Sequence, residues 1–399
     1  MVTALFQPLR IRSLALKNRI VISPMMQHAA PGGMANHWHL VHLGKFALGG
    51  AGLIISESTA VSPAGRIGKD DVGLWQDEHI QPWREVVDFV HQSGSAIGVQ
   101  LGHAGRKAGS KSLWEGGQAL SPEEMSEIDP RWVRMGPSAL AAGEGWSTPQ
   151  AMTSADIEHV LDEFVAAAQR ADQAGFDVIE LHCGHGYLVT SFLSPISNQR
   201  TDEYGGDRAG RMKFAVDLAS RVRQVWPPEK PLWCRLSVVD GALGGWSEED
   251  TLALVGRLQA VGVDVIDCSS GGLTEQTHAL PVARGLGFQV PFARRIKNET
   301  GVLTQAVGMI VDAHQAEEIL ASGSADLVAI GREALFDPYW PLHAQWVLER
   351  DPAFSDWPLR HGVWLEKRQK VLDALPPPLP AVCLAPNLPN GTPLNSGDQ

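Results

Sequence analysis

Cysteine is scarce in this sequence of 399 residues, which contains four cysteines, at positions 183, 234, 268 and 383. No two of them stand at a C-x-x-C spacing, whereas iron–sulfur clusters and structural zinc sites need clustered cysteines. The sequence therefore argues against both kinds of centre. Scattered thiols are typical of proteins in a reducing compartment, so we expect a cytoplasmic location.

Long apolar runs and basic charge are also lacking. No stretch approaches the roughly 18 apolar residues of a membrane helix, and the N-terminal segment has no apolar core of a secretion signal. The net charge is −12, the pI is about 5.6, and no stripe of Lys and Arg suits nucleic acid. We therefore expect neither a membrane nor a nucleic-acid partner.

Short, nearly continuous apolar runs are abundant, and 44% of the residues are hydrophobic. Runs of this kind are typical of parallel strands that are buried on both faces. The sequence predicts eight of them, at 19–25, 51–58, 96–103, 176–182, 231–237, 263–270, 302–308 and 325–331.

Amphipathic segments lie between these strands. The clearest predicted helices cover 83–94, 156–175, 248–262 and 313–323, and all four end in glycine just before the next strand. Eight successive β–α units with right-handed crossovers predict an α/β fold of the (β/α)8 TIM-barrel type. An open doubly wound sheet is the alternative. The turn after the first strand lacks the G-x-G-x-x-G fingerprint that would favour it.

Two stretches fall outside the repeat. Residues 104–150 form a long connection after the third strand, which we interpret as an excursion over the barrel mouth. Residues 376–399 contain seven prolines and few apolar anchors. The predicted organisation is a barrel domain over residues 1–370, followed by a Pro-rich flexible extension over residues 371–399.

Barrel enzymes carry their functional groups at the C-terminal ends of the strands. Gln100 ends the third predicted strand with an amide that can both donate and accept hydrogen bonds. Arg235 ends the fifth strand, where an anionic ligand or an electron-rich ring would give it a partner. Gly308, Gly331 and Arg332 end the seventh and eighth strands, where many barrels bind phosphate.

The segment 180–195 contains His182, His185 and Tyr187 at the end of the fourth strand. The two histidines could hold a metal with His103 or Glu57 as a third ligand, which would fit a metal-dependent barrel hydrolase. They could also be structural. In the third interpretation, two neutral imidazoles donate hydrogen bonds to a substrate oxygen and the tyrosine supplies a proton.

The run "HCGHGYLVTSFLSPISNQRTDEYGG" at 182–206 resembles the Old Yellow Enzyme family of flavin-dependent ene-reductases, most closely its bacterial xenobiotic reductase branch. Further similar pieces are "GGAGLIISESTAVSPAGRI", "GVQLGHAGRKA", "DCSSGG" and "IGREALFDP". The resemblance covers about residues 4–370. It implies a (β/α)8 barrel with non-covalent FMN, NADPH or NADH as reductant, an activated alkene as substrate, no metal, and a homodimer or higher homo-oligomer.

The resemblance also implies roles for individual residues. His182 and His185 would grip the substrate's carbonyl oxygen, and Tyr187 would protonate Cα after hydride from the flavin reaches Cβ. Arg235 would lie near the electron-rich edge of the flavin. The residues implied to bind the cofactor are Ser23, Pro24, Met25, Met26, Ala60, Gln100, Arg235, Gly308, Gly331 and Arg332.

Three positions depart from the family pattern or extend it. Met26 stands where these bacterial enzymes usually have a cysteine that tunes the flavin, and His28 where they usually have a tyrosine in the substrate pocket. His28 could equally be a solvent-facing loop residue. Trp364 is our candidate for an aromatic pocket residue supplied by the C-terminal segment. Met26 and His28 also motivate an alternative, a flavin-binding barrel with an altered redox role.

Overall fold

The computed structural model describes residues 3–273, 284–349, 351 and 353–376. The chain divides into two compact units, Met1–Asp351 and Pro352–Gln399. The domain boundary at residue 370 that the sequence suggests stays a prediction. Residues 377–399, most of the predicted extension, lie outside the described residues.

Eight parallel strands close into a barrel in which each strand pairs with its neighbours along the chain. This confirms the predicted (β/α)8 fold, and each of the eight predicted runs overlaps one barrel strand. The described strands are β1 (Leu9–Ile11), β2 (Leu14–Leu16), β3 (Ile20–Ile22), β4 (Leu53–Ala60), β5 (Ala96–Gly102), β6 (Met135–Gly136), β7 (Gln150–Ala151), β8 (Val178–Cys183), β9 (Leu232–Ser237), β10 (Val265–Ser269), β11 (Leu303–Ala306) and β12 (Leu327–Ile330). The barrel order is β3-β4-β5-β8-β9-β10-β11-β12, and β12 pairs with β3 to close it.

Helices surround the barrel, and the four predicted ones are present with ends shifted by up to three residues. The described helices are α1 (His37–Leu48), α2 (Ile80–Gln92), α3 (Pro122–Ile128), α4 (Ser154–Ala174), α5 (Leu188–Leu193), α6 (Arg208–Val225), α7 (Glu248–Ala260), α8 (Val290–Thr300), α9 (Ala313–Ala321), α10 (Arg332–Phe336), α11 (Trp340–Leu348) and α12 (Leu359–Asp373). In the part of the chain that the structure describes, none of them is long and apolar enough to cross a membrane.

A short hairpin of β1 and β2, which the sequence did not reveal, packs on the N-terminal end of the barrel. Its residues Ile11 and Leu16 belong to the same buried cluster as Val178, Trp233 and Val265, which face the barrel interior. The hairpin therefore covers an apolar layer at the N-terminal end of the barrel interior. The polar side chains of the interior lie nearer the C-terminal ends of the strands.

Side chains alternate along each barrel strand between the interior and the helix layer. In β8, Glu180 and His182 point inward, whereas Cys183 joins the large apolar cluster beneath the helices. Cys234 and Cys268 belong to that cluster too. Cys183 therefore turns away from the ligand-facing side of the barrel.

The excursion over 104–150 is more structured than a plain loop. It contains α3, whose capping box joins Ser121 and Glu124, and β6, which pairs with β7. The Arg134 guanidinium donates to the carbonyls of Ala108, Gly109 and Leu120 at 2.7–3.0 Å and so joins the later part of this segment to its beginning and middle.

Candidate active site

A cavity of about 150 Å³ lies near the C-terminal ends of the barrel strands, the end at which barrel enzymes carry their chemistry. Seven of the residues predicted for the site contribute to its wall. The lining residues are Pro24, Met26, Ser58, Ile67, Gln100, His182, His185, Tyr187 and Arg235.

Three aromatic side chains meet on one side of this cavity. The ring of His182 lies 5.2 Å from that of His185 and 5.0 Å from that of Tyr187, edge to face in both cases. The N–H of Gly184 donates to Nδ1 of His182 at 3.4 Å, so a neutral His182 carries its proton on Nε2. Nε2 of His185 lies 2.7 Å from Oγ of Ser269.

Burial fixes the protonation states of this group. It lowers the pKa of His182 to about 3, helped by the positive charge of Arg235. Burial likewise lowers the pKa of His185 far below its usual value, and Arg235 adds to the effect. The pKa of Tyr187 is raised by burial. At neutral pH the site therefore presents two uncharged imidazoles and a protonated phenol.

The turn after β8 holds His185 and Tyr187 in place around a required glycine. His185 and Gly186 both have positive φ angles, 60° and 76°, a region that favours glycine. The N–H of His185 donates to Oγ of Ser237 at 2.8 Å. A Cβ atom on Gly186 would overlap the carbonyl oxygen of Gly272, so the turn packs directly on the loop after β10.

Arg235 and Gln100 reach the cavity from the barrel interior, and both have partners. Nη1 of Arg235 donates to Oγ of Ser23 at 2.9 Å, and its Nε lies 3.3 Å from Asp267. Nε2 of Gln100 donates to Glu180 at 2.8 Å. A carboxylate of the chain itself thus supplies part of the partner that Arg235 needs.

The segment after β3 carries the predicted residues from Ser23 to Met26. The N–H of Ser23 continues the pairing of β3 with β12, and Pro24 and Met26 line the cavity. Ala60 ends β4, where its N–H and C=O bond to the segment 72–74. It is 3% exposed and does not belong to the cavity wall.

Gly308 follows β11 with a φ of 112°, in the region that favours glycine. A Cβ atom there would lie 2.9 Å from the side chains of Gln289 and Phe288. The chain after β11 can therefore follow this course only with glycine.

Gly331 and Arg332 join β12 to α10. A Cβ atom on Gly331 would meet only Met25 and Ser23, at 3.7 Å or more, so the backbone here is open to a ligand. Arg332 is exposed and, among the described residues, has no hydrogen-bond or ion-pair partner. An open glycine beside an unpaired guanidinium suits an anion.

His28 stands behind the cavity wall. Its Nδ1 lies 2.7 Å from Asp71 and its side chain is 7% exposed, so its interpretation as a solvent-facing residue is wrong. The other oxygen of Asp71 accepts hydrogen bonds from the N–H groups of Ile67 and Gly68. Burial lowers the pKa of His28, but the bond to Asp71 and nearby carboxylates outweigh it, so the pKa is raised. A direct role in the substrate pocket stays a prediction.

Trp364 lies on α12, in the second unit of the chain. Its side chain is 68% exposed, and Nζ of Lys367 lies 4.7 Å from the ring centroid. The role of Trp364 in a pocket also stays a prediction.

A metal at the histidine pair would need a third ligand. Within the described ranges, no group of three or more His, Cys, Asp or Glu residues could hold a metal ion. Glu57 contacts His39 at 3.4 Å and accepts a hydrogen bond from the N–H of Gln27. Nδ1 of His103 accepts from the N–H of Gly105. Both conceivable third ligands thus have other partners.

A family model for NADH:flavin oxidoreductases and NADH oxidases matches residues 4–351 of this chain. The chain belongs to this family. Among curated relatives, NADPH dehydrogenase of Geobacillus thermodenitrificans is 44% identical over 345 residues, covering 86% of this chain and 94% of the relative. NADPH dehydrogenase of Bacillus subtilis is 42% identical over 343 residues, covering 85% and 94%. A structure of morphinone reductase with tetrahydroNAD has a TM-score of 0.69 at 28% identity, covering 86% and 90%.

Membership of the Old Yellow Enzyme family, inferred from the motifs, is therefore confirmed. The protein is an FMN-dependent oxidoreductase that takes its electrons from NAD(P)H. The residues around the cavity fit FMN. Gln100 and Arg235 offer hydrogen-bond donors to a ring that carries C=O groups, and Gly331 with Arg332 offers an open backbone and a free cation for its phosphate.

Sequence reasoning missed several residues of the site. Ser58 and Ile67 line the cavity, and Ser269 contacts His185. Glu180 and Asp267 lie just beneath, as partners of Gln100 and Arg235. The period-two alternation of β8 and β10 places Glu180 and Asp267 on the inner face and could have revealed them.

Proposed function

We propose that this protein reduces the carbon–carbon double bond of α,β-unsaturated carbonyl compounds and related activated alkenes. The observation that carries the proposal is the group of neutral His182, neutral His185 and protonated Tyr187 around one cavity. Hydrogen-bond donors on one side of a pocket suit a substrate oxygen that gains negative charge during the reaction.

The two histidines would bind and polarise the carbonyl oxygen. The Nε2–H of His182 is available as a donor because Nδ1 accepts from Gly184. The hydroxyl of Ser269 can donate to Nε2 of His185, which leaves Nδ1–H as the donor of that ring. Both donors withdraw electron density from the alkene, since negative charge builds on the oxygen as hydride reaches Cβ.

Tyr187 would protonate Cα. Its raised pKa keeps the proton on the phenol at neutral pH, and the position of its ring against His182 brings the donor to the same cavity. A general acid in this position typically accelerates a reaction by a factor of about 10²–10⁴. Solvent would return the proton to the phenolate after each turnover.

FMN, when bound, accepts a hydride from the nicotinamide and delivers one to the alkene. The chain's own part would be to hold and orient it. Arg235 would face the electron-rich edge of the ring and favour negative charge there. The residues that we propose for binding are Ser23, Pro24, Met25, Met26, Ala60 and Gln100 at the ring, and Gly308, Gly331 and Arg332 at the phosphate.

We propose NADPH as the reductant, because the similar curated relatives are named NADPH dehydrogenases. An anaerobic two-step assay tests the function. NADPH, compared with NADH, should bleach the flavin absorbance, and cyclohexenone, added after the reductant is used up, should restore it. Bleaching without re-oxidation by any enone, maleimide, quinone or nitro compound would instead support the altered redox role that Met26 and His28 motivate.

Replacing Tyr187 with Phe tests the proton donor. We expect flavin reduction by NADPH to be nearly unchanged and alkene reduction to slow about 100-fold or more, because only the second half-reaction needs the proton. Stopped-flow absorbance measures the two half-reactions separately. Tyr204→Phe is a matched control, since this tyrosine bonds to Asp217 at 3.1 Å and lies outside the cavity wall. Equal slowing of both half-reactions in Tyr187→Phe would count against the proposal.

Assembly into a homodimer or larger homo-oligomer also stays a prediction. Large apolar side chains are exposed on α1, where Trp38 is 55% and Val41 67% accessible, and such side chains are available for a subunit contact. Light scattering coupled to size exclusion measures the mass directly.

A further inference from the structure

A row of polar side chains crosses the barrel interior beneath the cavity. It consists of Gln100 on β5, Glu180 on β8, Arg235 on β9, Asp267 on β10 and Gln305 on β11. Glu180, Asp267 and Gln305 are fully buried, and the other two are at most 8% exposed. Three of the five side chains can carry charge, although buried charges are costly unless they are compensated.

The charges in this row do not balance if both carboxyl groups are ionised. Arg235 would then be the one cation against two anions. In the part of the chain that the structure describes, Oε2 of Glu180 and both oxygens of Asp267 accept no hydrogen bond. The contact from Arg235 Nε to Asp267 is 3.3 Å long and lacks hydrogen-bond geometry. A proton held between the two carboxyl groups would supply a hydrogen bond from one of them to the other.

We infer that Glu180 and Asp267 hold a single shared proton, and that this proton sets the positive field which Arg235 presents to the flavin. With the proton in place, one carboxylate and one guanidinium cancel. Without it, a second negative charge lies beneath the cofactor. The inference rests on the proposed function, because it requires Arg235 to face the flavin.

Electrostatics supports this arrangement. Burial raises the pKa of Glu180 to about 8, and the charge of Asp267 adds to the rise while Arg235 opposes it. Burial also raises the pKa of Asp267, again against the effect of Arg235. The side chains of Glu180 and Asp267 lie within hydrogen-bonding reach of each other across β9, and two buried carboxyl groups in such contact cannot both ionise readily. At neutral pH the proton lies on Glu180 and the charge on Asp267.

Few other titratable groups face the pair. His182 lies one level above on β8, and its lowered pKa keeps it neutral. The charge of Glu180 contributes to the raised pKa of Cys234 on β9, so this thiol stays protonated. The other barrel strands, β3, β4 and β12, place the non-titrating residues Val21, Ile55 and Ala329 in the apolar interior. The pair and Arg235 thus dominate the charge beneath the site.

The consequence is a pH-dependent flavin potential. As the pH rises through about 8, Glu180 loses its proton and adds negative charge, which disfavours further negative charge on the reduced cofactor. Equivalently, reduction draws one extra proton to the pair. Uptake of one extra proton makes the equilibrium constant for flavin reduction change tenfold more per pH unit. The two-electron potential therefore depends more steeply on pH, by about 30 mV per pH unit.

Glu180→Gln tests the inference, because glutamine imitates the protonated acid. Its carbonyl oxygen can still accept from Gln100, and its amide can donate to Asp267. Spectroelectrochemical titration of the FMN-loaded protein between pH 6 and 10 should show the steeper slope in the wild type and its loss in the variant. At pH 9 the variant's potential should exceed that of the wild type. Superimposable wild-type and variant profiles would overturn the inference.

Infrared spectroscopy detects the proton shared by Glu180 and Asp267 without any measurement on the flavin. The wild type should show the carbonyl band of a buried carboxylic acid, and both Glu180→Gln and Asp267→Asn should change it; a band unaffected by either overturns the inference. Asp240→Asn is the control. Asp240 is also fully buried with a raised pKa, but it bonds to Ser194 and the N–H of Trp246. The steeper pH dependence of the flavin potential should therefore persist in Asp240→Asn.

Arg235→Met separates this inference from the proposed function. If Arg235 faces the flavin, this variant lowers the potential and weakens FMN binding. If it changes neither, the proposed placement of Arg235 fails and the inference with it. If Arg235→Met lowers the potential but Glu180→Gln leaves the pH profile intact, the proposed placement stands and the shared proton does not tune the flavin.

Discussion

At the scale of single residues, the environment of each polar side chain decides what it can do. His182 and His185 are neutral because they are buried near Arg235, which lets them donate hydrogen bonds without carrying charge. Burial has the opposite effect on Tyr187, because it raises the pKa of the phenol and so keeps its proton in place. Met26 contributes the opposite property, because its thioether lines the cavity and has no hydrogen to donate.

Met26→Cys should raise the midpoint potential of the bound flavin. A thiol can donate a hydrogen bond to a ring carbonyl that gains electron density on reduction, and one hydrogen bond of about 1 kcal/mol corresponds to roughly 20 mV for two electrons. Redox titration against dyes of known potential measures the shift. Met34→Cys, outside the cavity wall, should leave the potential unchanged. An unchanged or lower potential in Met26→Cys would refute this role.

The residues that the sequence made predictable are those at strand ends. Gln100, His182 and Arg235 could be anticipated because the C-terminal ends of parallel strands converge at one face of a barrel. The contacts among residues could not be anticipated. Which side chains meet inside a barrel depends on the stagger between strands, so the pairing of Asp267 with Arg235 and of Glu180 with Gln100 appears only in the structure.

At the scale of elements, the strands were easier to predict than the connections. A run buried on both faces is recognisable by its continuous apolar character, as in β9 and β12. The hairpin of β1 and β2 has three-residue strands, which give no periodic signal. Helix α3 carries the Ser-Pro-Glu-Glu start of a capped helix within 104–150, a local signal that the length of the excursion obscured.

A methyl group added at the junction between β12 and α10 should leave the fold intact but weaken the binding of the cofactor. In Gly331→Ala, the new Cβ would sit 3.7 Å from Met25 and Ser23, an ordinary contact, yet occupy the side open to the phosphate. We expect the FMN dissociation constant to rise about tenfold or more, measured by fluorescence on reconstitution of the apoprotein, while the apoprotein's melting temperature changes little.

Gly256→Ala is the matched control for this substitution. Gly256 lies within α7, and an added Cβ would meet nothing within 4 Å. Alanine should leave FMN affinity unchanged and stabilise the helix by about 0.5–1 kcal/mol. Equal FMN affinity in Gly331→Ala and the wild type would remove this junction from the proposed phosphate site.

At the scale of the whole molecule, the barrel encloses polar groups that burial keeps uncharged. His103 and His182 are buried with pKa values lowered to about 4 and about 3, whereas burial raises the pKa of Glu180 to about 8. The histidines and Glu180 therefore change the folding stability in opposite directions as the pH falls. Acidification favours the unfolded chain through the histidines, and between about pH 8 and 4.5 it favours the folded chain through Glu180.

His103→Asn isolates one histidine's share of the acid sensitivity. Below pH 6.5 the unfolded wild type binds a proton at His103, whereas the folded chain binds it only near pH 4. His103 therefore lowers the free energy of unfolding by about 1.4 kcal/mol for each pH unit between these values. Loss of the bond from Gly105 lowers the overall stability of the variant, but its free energy of unfolding should fall less steeply with acid by that amount. Urea unfolding followed by circular dichroism from pH 6.5 to 4.5 measures both slopes. His37→Asn, at an exposed position, should keep the wild-type slope. Parallel slopes for His103→Asn and the wild type would show that His103 takes up its proton without unfolding.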